Sequence, residues 1–279
     1  MRSTVICTFK PILRRAAAAG ALSCAFAGVA EAESIKAHYS LTLMGLSIGS
    51  AYASGVVEAP SYRVDITMRT SGLANLVNTT KGAATASGGF TPVGPSPSAY
   101  ANTTSNSEET RTVRMSLASN SVRAVEVKPE PWDQDARVPV TEGSKKHIVD
   151  PVTALIMSVP AGQDLSGPAA CNRTISVYDG VTRFDVALTY SGAHTASTRG
   201  YQGPVAVCSA RYSPIAGHRP DSKSTRYMAE NRDMNVWLAP LPDAHVVVPI
   251  HIDIKTGAGE LLIEASDFQL SSRRAETGR

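Results

Sequence analysis

The chain has 279 residues, with 27 Lys or Arg against 24 Asp or Glu. This length suits one sizeable domain or two smaller ones. Hydrophobic residues make up 43% of the chain, an ordinary share for a globular protein.

The first 32 residues have the pattern of a secretory signal peptide. Four basic residues precede an Ala-rich apolar run over residues 16–30, and Ala30-Glu31-Ala32 fits the small-x-small rule for cleavage after Ala32. The apolar run is shorter than the roughly 20 residues that a membrane span needs. Two other signals stay open as alternatives: a twin-arginine signal at Arg14-Arg15 and a lipoprotein site at Leu22-Ser23-Cys24. We therefore expect export to the periplasm.

Cleavage would change the charge of the protein. It would remove four basic residues and one acidic residue, which leaves 23 of each and no net charge. Such a chain lacks the basic surface that nucleic-acid binding requires, so no nucleic-acid partner is expected. We also expect no transmembrane segment after signal removal, because no other apolar run is long enough.

Cleavage would also leave only two cysteines, Cys171 and Cys208. Two cysteines in an exported protein most simply form one disulfide. A redox-active or metal-binding pair is the alternative, although the chain has no Cys-x-x-Cys motif.

Short alternating runs dominate the rest of the chain. In residues 61–70, Tyr62 and Val64 alternate with Arg63 and Asp65, which predicts a half-buried antiparallel strand. Clusters of Gly, Pro, Asn, Asp and Ser separate the runs, as turns do. Strands are predicted at 35–45, 47–57, 61–70, 112–118, 121–128, 183–190, 204–212, 234–240, 245–254 and 259–268.

Two stretches, 88–110 and 128–146, are rich in Gly, Pro and polar residues and are predicted as loops. The chain shows no internal repeat and no boundary between domains. We therefore expect residues 33–279 to form a single β-rich domain. The predicted fold class is all-β, mainly antiparallel, with a curved, barrel-like sheet of about a dozen strands.

One segment breaks the alternation and predicts a short buried helix near residues 151–159. Asp150 is its expected N-cap and Pro151 its first helical residue. Apolar residues surround most of this helix, which indicates burial on most sides. It is either a core plug against the sheet or a lid over an apolar cavity. The candidate cavity-facing residues are Val152, Leu155, Ile156, Met157 and Val159.

Residues 45–49 read Gly-Leu-Ser-Ile-Gly, which matches the Gly-x-Ser-x-Gly pattern of serine hydrolases. That pattern needs a strand, a sharp turn and a helix around the nucleophile. The residues after Ser47 alternate like a strand, so we expect a hairpin there and no catalytic residue. The six histidines form no zinc-binding pattern, and we expect no metal and no cofactor.

Several separated segments together resemble an uncharacterised bacterial envelope family, the domain-of-unknown-function 3108 family. They are YSLTLMGLSIGSA (39–51), IVDPVTALIMSV (148–159), VYDGVTRFDV (177–186), CSARYSPIAGH (208–218), VWLAP (236–240) and VPIHIDIKTGAGELLIEA (248–265). The resemblance implies an exported, mostly antiparallel, barrel-like protein with a disulfide between Cys171 and Cys208. It implies no catalytic residue and no agreed ligand.

These observations favour a non-enzymatic protein of the cell envelope. We expect it to bind an apolar or amphipathic ligand such as a lipid, or an envelope protein partner, in the hollow of the curved sheet. Two alternatives stay open: a serine hydrolase that uses Ser47, and a structural envelope-integrity factor without a small ligand.

Overall fold

A computed structural model of the protein describes residues 32–58, 60–72 and 79–273. The predicted signal peptide lies outside these residues except for Ala32, where the first strand begins. Export therefore stays a prediction.

The described residues form fourteen strands and two α-helices. The strands are β1 (Ala32–Leu43), β2 (Leu46–Glu58), β3 (Ser61–Thr70), β4 (Lys81–Thr91), β5 (Gly94–Ser105), β6 (Thr110–Ala118), β7 (Ser121–Lys128), β8 (Met157–Ser158), β9 (Arg173–Tyr178), β10 (Arg183–Ser197), β11 (Gln202–Ala216), β12 (Met234–Leu241), β13 (Val246–Thr256) and β14 (Gly259–Arg273). The helices are α1 (Pro168–Cys171) and α2 (Lys223–Glu230). Single 3-10 turns occur at Gln134–Ala136, Gly143–Lys145 and Thr153–Leu155.

The strands form one antiparallel sheet, so the predicted fold class is confirmed. Its order is β7-β6-β5-β4-β3-β2-β1-β14-β13-β12-β11-β10-β9, and β8 pairs separately with β13. Apart from β8, strands that pair are consecutive in sequence, except that β1 pairs with β14 and so joins the two halves of the sheet. Among the described residues, no helix combines the length and apolar character needed to cross a membrane.

The connection from β7 to β9 lies between the two edge strands of this sheet. Lys146 bridges to Ser121 of β7, and Val149 bridges to Val177 of β9. Ile148 N donates to Asn120 O at 2.8 Å, and Val149 N donates to Ser176 O at 2.9 Å. The connection thus satisfies main-chain groups of both edges and gives the open sheet its barrel-like closure.

The predicted helix at 151–159 is corrected by the structure. The segment is buried, but its helical part is the single 3-10 turn Thr153–Leu155. Ile156 is extended, with φ −109° and ψ 108°, and Met157–Ser158 pairs with Val246 and Val247 of β13. Pairing with β13 satisfies main-chain groups that a longer helix would have bonded internally, so the helix ends after one turn.

The predicted loop at 88–110 is also wrong in large part, because it contains the end of β4 and all of β5. The two strands pair across this region with a register shift between Ser87 and Gly88. A Cβ at Gly88 would collide with the main-chain oxygen of Ser96. The glycine is thus present for close strand approach at a bulge, whereas composition alone favoured a loop.

The main core lies inside the curl of the sheet. Alternate residues point inward, as in β6, where Val113, Met115 and Leu117 are buried and the residue after each of them is exposed. Residues of the β7–β9 connection, including Ile148 and Val152, pack among them. The connection therefore crosses the interior and divides it.

Candidate functional site

The interior segment is held in place by a buried hydrogen-bond network that begins at Asp150. One carboxylate oxygen, Oδ1, accepts from the main-chain N of Val152 at 3.0 Å and of Thr153 at 2.9 Å. The other, Oδ2, accepts from Thr153 Oγ1 at 2.6 Å. Asp150 is 0% exposed, and burial raises the pKa of its carboxyl above the usual range. The expected N-cap residue thus caps a turn, although no full helix follows.

The same network reaches the sheet through Tyr62 of β3. Its hydroxyl lies 2.8 Å from Thr153 Oγ1. Because Thr153 Oγ1 donates to the carboxylate, the Tyr62 hydroxyl is the donor to Thr153. Burial, and secondarily the nearby Asp150 carboxylate, raises the pKa of Tyr62 above its ordinary value. One side of the interior segment is therefore fixed to the wall of the barrel by polar contacts.

The other side of the segment borders an apolar cavity of about 310 Å³, here called cavity A. Its walls come from β9 to β13, residues 151–157 and helix α2. They include Val177, Val186, Leu188, Met228, Val236 and Ile254. Such a volume is at the lower end of the range for small-molecule pockets, which is roughly 300–1,000 Å³.

A second apolar space of about 270 Å³, cavity B, lies against the other half of the sheet. Strands β1, β2, β3, β13 and β14 form it, with Ile35, Ala53, Val64, Ile66, Val248 and Ile263 among its lining residues. Cavities A and B share three lining residues, Leu155, Pro249 and Ile252. These residues are the partition between two adjoining apolar spaces.

The partition is fixed from the sheet side. Tyr39 of β1, which lines cavity B, donates its hydroxyl hydrogen bond to Pro249 O at 2.8 Å. Burial raises the pKa of Tyr39 to about 12. Leu155 contributes to the partition from the interior segment.

A larger cleft of about 860 Å³ lies beside cavity A and shares Ala154, Met157 and Ile175 with it. Its lining mixes polar and apolar residues, and we call it the polar cleft because it presents more polar groups than cavities A and B do. Among the described residues that line this cleft, His147 and Arg173 are basic and none is acidic. Arg173 donates to the main-chain oxygens of Ser158, at 2.8 Å, and Ala169. Burial lowers the pKa of its guanidinium.

The structure contains the disulfide between Cys171, the last residue of α1, and Cys208 in β11. Both cysteines are fully buried and pack in one cluster with Leu188 and Val236. Those two residues also line cavity A. The bridge therefore ties α1 to the wall of that cavity.

The five candidate cavity-facing residues occupy different positions. Leu155 lines both apolar cavities, Ile156 lines cavity B and the polar cleft, and Met157 lines cavity A and the cleft. Val152 and Val159 are buried in the core and line none of these three spaces. The interior segment therefore divides cavity A, cavity B and the polar cleft from one another. It combines features of the core plug and of the lid that the sequence left open.

Ser47 is exposed and lies in β2. The strand continues to Glu58, so the strand–turn–helix geometry of a nucleophile elbow is not present there. Gly45 occupies the preceding turn with φ +78°, a conformation that favours glycine. Within 32–58, 60–72 and 79–273, no three His, Cys, Asp or Glu side chains are grouped to hold a metal ion.

Sequence reasoning missed Arg211, Pro249 and Ile252, which lie on strands that it did predict. Pro249 carried a local signal, since a proline inside an apolar strand marks an interrupted ladder. The register indeed shifts at this point, between Trp237 and Leu238 of the neighbouring strand.

Comparison with known proteins shows the family to which this chain belongs. No curated protein has a significantly matching sequence. The structure is similar to the crystal structure of a β-barrel-like protein of domain of unknown function DUF1849 from Brucella abortus. The two chains are 10% identical, the match covers 87% of this chain and 98% of that chain, and the TM-score is 0.49. A family model described as "Protein of unknown function (DUF3108)" matches residues 38–264, and the chain therefore belongs to that family.

Proposed function

We propose that the protein is a non-enzymatic, exported component of the cell envelope that binds an apolar or amphipathic ligand in cavities A and B. The observation that carries this proposal is the pair of adjoining apolar spaces, of about 310 and 270 Å³, separated by Leu155, Pro249 and Ile252. Ligand pockets are typically lined by hydrophobic side chains, as these two spaces are.

Empty apolar space inside a protein is energetically unfavourable. Protein interiors are close-packed, and side chains around a void lack the dispersion contacts that a neighbour would supply. Water does not compensate in an apolar cavity, because it needs polar partners there. An aliphatic chain supplies those contacts and removes its own surface from water.

Three features support the location and the absence of catalysis. The neutral mature chain and the signal-like N-terminus fit export. A disulfide persists in an oxidising compartment such as the periplasm. The cavities present few polar groups to a bound chain, and an enzyme needs such groups for acid–base or nucleophilic chemistry.

Titration of the purified protein with 11-(dansylamino)undecanoic acid, followed by dansyl fluorescence, tests the proposal. We expect saturable binding at one site. Leu155→Trp places an indole between the cavities and should weaken binding by about tenfold or more, since the ligand must then displace or avoid it.

Leu46→Trp is the matched control, because Leu46 is exposed in β2 and lines neither cavity. It should bind the probe like the wild type. Absence of saturable binding by the wild type would contradict the proposal and favour a structural role without a small ligand. Equal binding by Leu155→Trp, with its fold intact by circular dichroism, would show that the probe binds elsewhere.

A further inference from the structure

The charge of the residues that line the two apolar cavities indicates which class of ligand they can bind. Among the described residues that line cavities A and B, Arg211 is the only one with a charge. A charged residue is not expected in an apolar wall unless it forms an ion pair or binds a ligand. Its surroundings therefore indicate what it can bind.

Arg211 lies in the part of β11 that is no longer paired with β12. Strands β11 and β12 pair from Ala206 to Ser209 only, whereas β11 continues to Ala216. Helix α2 lies against β11, and Met228 of that helix lines cavity A. Arg211 is half-buried. It thus lies at the edge of cavity A, paired with Ala187 of β10 on one side and close to the eight-residue helix α2 on the side that β12 does not reach.

The guanidinium of Arg211 has unused capacity. Its Nη1 donates to the main-chain oxygen of Asn231 at 2.9 Å, directly after the last residue of α2. No carboxylate among the described residues lies within ion-pair distance of Arg211. A guanidinium has five N–H donors, so most of them are free for a bidentate contact with an anionic group.

The neighbouring carboxylate does not compensate this charge. Asp233 lies two residues beyond Asn231, but its carboxylate is 3.5 Å from the ammonium group of Lys255. The positive charge of Arg211 is therefore available at the boundary between an apolar cavity and solvent, as the site for an amphiphile requires.

We propose that the ligand is an amphiphile with one aliphatic chain and one anionic head, and that Arg211 binds the head at the edge of cavity A. The chain lies in cavity A and continues past Leu155 into cavity B. This inference rests on the proposed function, because it assigns the ligand class of the same cavities. Arg211 supplies a charge-assisted hydrogen bond, which favours an acid over its neutral ester.

The test compares two probes that differ only in the head, 11-(dansylamino)undecanoic acid and its methyl ester, each titrated by fluorescence. We expect the wild type to bind the acid about tenfold more tightly than the ester, the effect of one charge-assisted bond. Arg211→Gln should abolish this preference by weakening acid binding, with ester binding unchanged within about twofold.

Two further variants separate the head contact from other effects. Arg211→Lys keeps the charge and a donor and should retain part of the preference for the acid. Arg226→Gln removes an exposed charge on α2 that lines neither cavity, and it should bind both probes like the wild type. A loss of acid preference in Arg226→Gln would assign the effect to long-range attraction and overturn the proposal.

The outcomes distinguish this inference from the proposed function. If Arg211→Gln weakens both probes equally, Arg211 acts by holding α2 through Asn231, and the head assignment is wrong. If Arg211→Gln leaves the acid preference unchanged, the head binds elsewhere, for example in the polar cleft, and the assignment is again wrong. If the wild type binds neither probe, the proposed function itself fails.

Discussion

The two sides of the interior segment 150–157 differ in how they meet the barrel. One side is anchored by a chain of hydrogen bonds, in which the Tyr62 hydroxyl donates to Thr153 and Thr153 donates to Asp150. Ile148 packs close by in the same core. The other side, at Leu155 and Met157, faces apolar space. A divider that is fixed on one side can keep the other side open, because the polar anchor prevents the segment from collapsing into the cavities.

This comparison predicts unequal costs for truncating side chains on the two sides. Ile148→Ala, at a residue 1% exposed in the packed core, should lower the free energy of unfolding by about 4 kcal/mol. Leu155→Ala removes atoms that already border empty space, so its cost should be only about 1–2 kcal/mol. Urea denaturation of both variants measures the difference. Equal costs would mean that the two sides are packed alike.

Removing the anchor tests the polar side directly. Asp150→Ala leaves two main-chain N–H groups and the Thr153 hydroxyl without their buried acceptor, which should cost about 3 kcal/mol. Asp164→Ala is the control, since Asp164 also accepts from a main-chain N, of Ser166, but is exposed. Its cost should stay below about 1 kcal/mol by thermal or urea denaturation. A small effect at Asp150 would show that its hydrogen bonds do not hold the interior segment in place.

The smallest expected effect is a pH dependence of the same anchor. Burial raises the pKa of Asp150 in the folded protein, so the folded state holds this proton more tightly than the unfolded state. The stability from this group is therefore fully present below the unfolded pKa and is lost as the pH rises through the folded pKa.

Asp150→Asn has no such proton, which makes it the reference. The free energy of unfolding of the wild type, minus that of Asp150→Asn, should increase as the pH is lowered from 7 toward about 4. Urea denaturation at a series of pH values measures this difference. A difference that shrinks on acidification would show that the anchor depends on an ionised carboxylate that is stabilised by its hydrogen bonds.

The sheet was predictable from sequence because alternation is a local signal. Segment 61–70 shows this, with Tyr62 and Val64 buried and Arg63 exposed as its pattern requires. Segment 88–110 was misread, since glycine and proline there serve close pairing of β4 with β5. A bulge that depends on the partner strand leaves no signal in the composition of either strand.

The candidate site was predictable only in part. Asp150 and the apolar run that includes Leu155 marked the interior segment, because capping and apolar character are local. The partition was not visible, since Leu155 meets Pro249 and Ile252 across about a hundred residues of chain. Arg211 was missed for the same reason, because its surroundings depend on where β11 stops pairing with the beginning of β12.

Native mass spectrometry of the protein, expressed for export and purified without detergent, tests the central claim that cavities A and B hold a ligand. The wild type should carry an additional mass that is released on denaturation, and Leu155→Trp, purified in parallel, should carry less of it or none. Repeated recovery of the wild type as clean, ligand-free protein, with no mass gained on incubation with the dansylated acid, would contradict the claim.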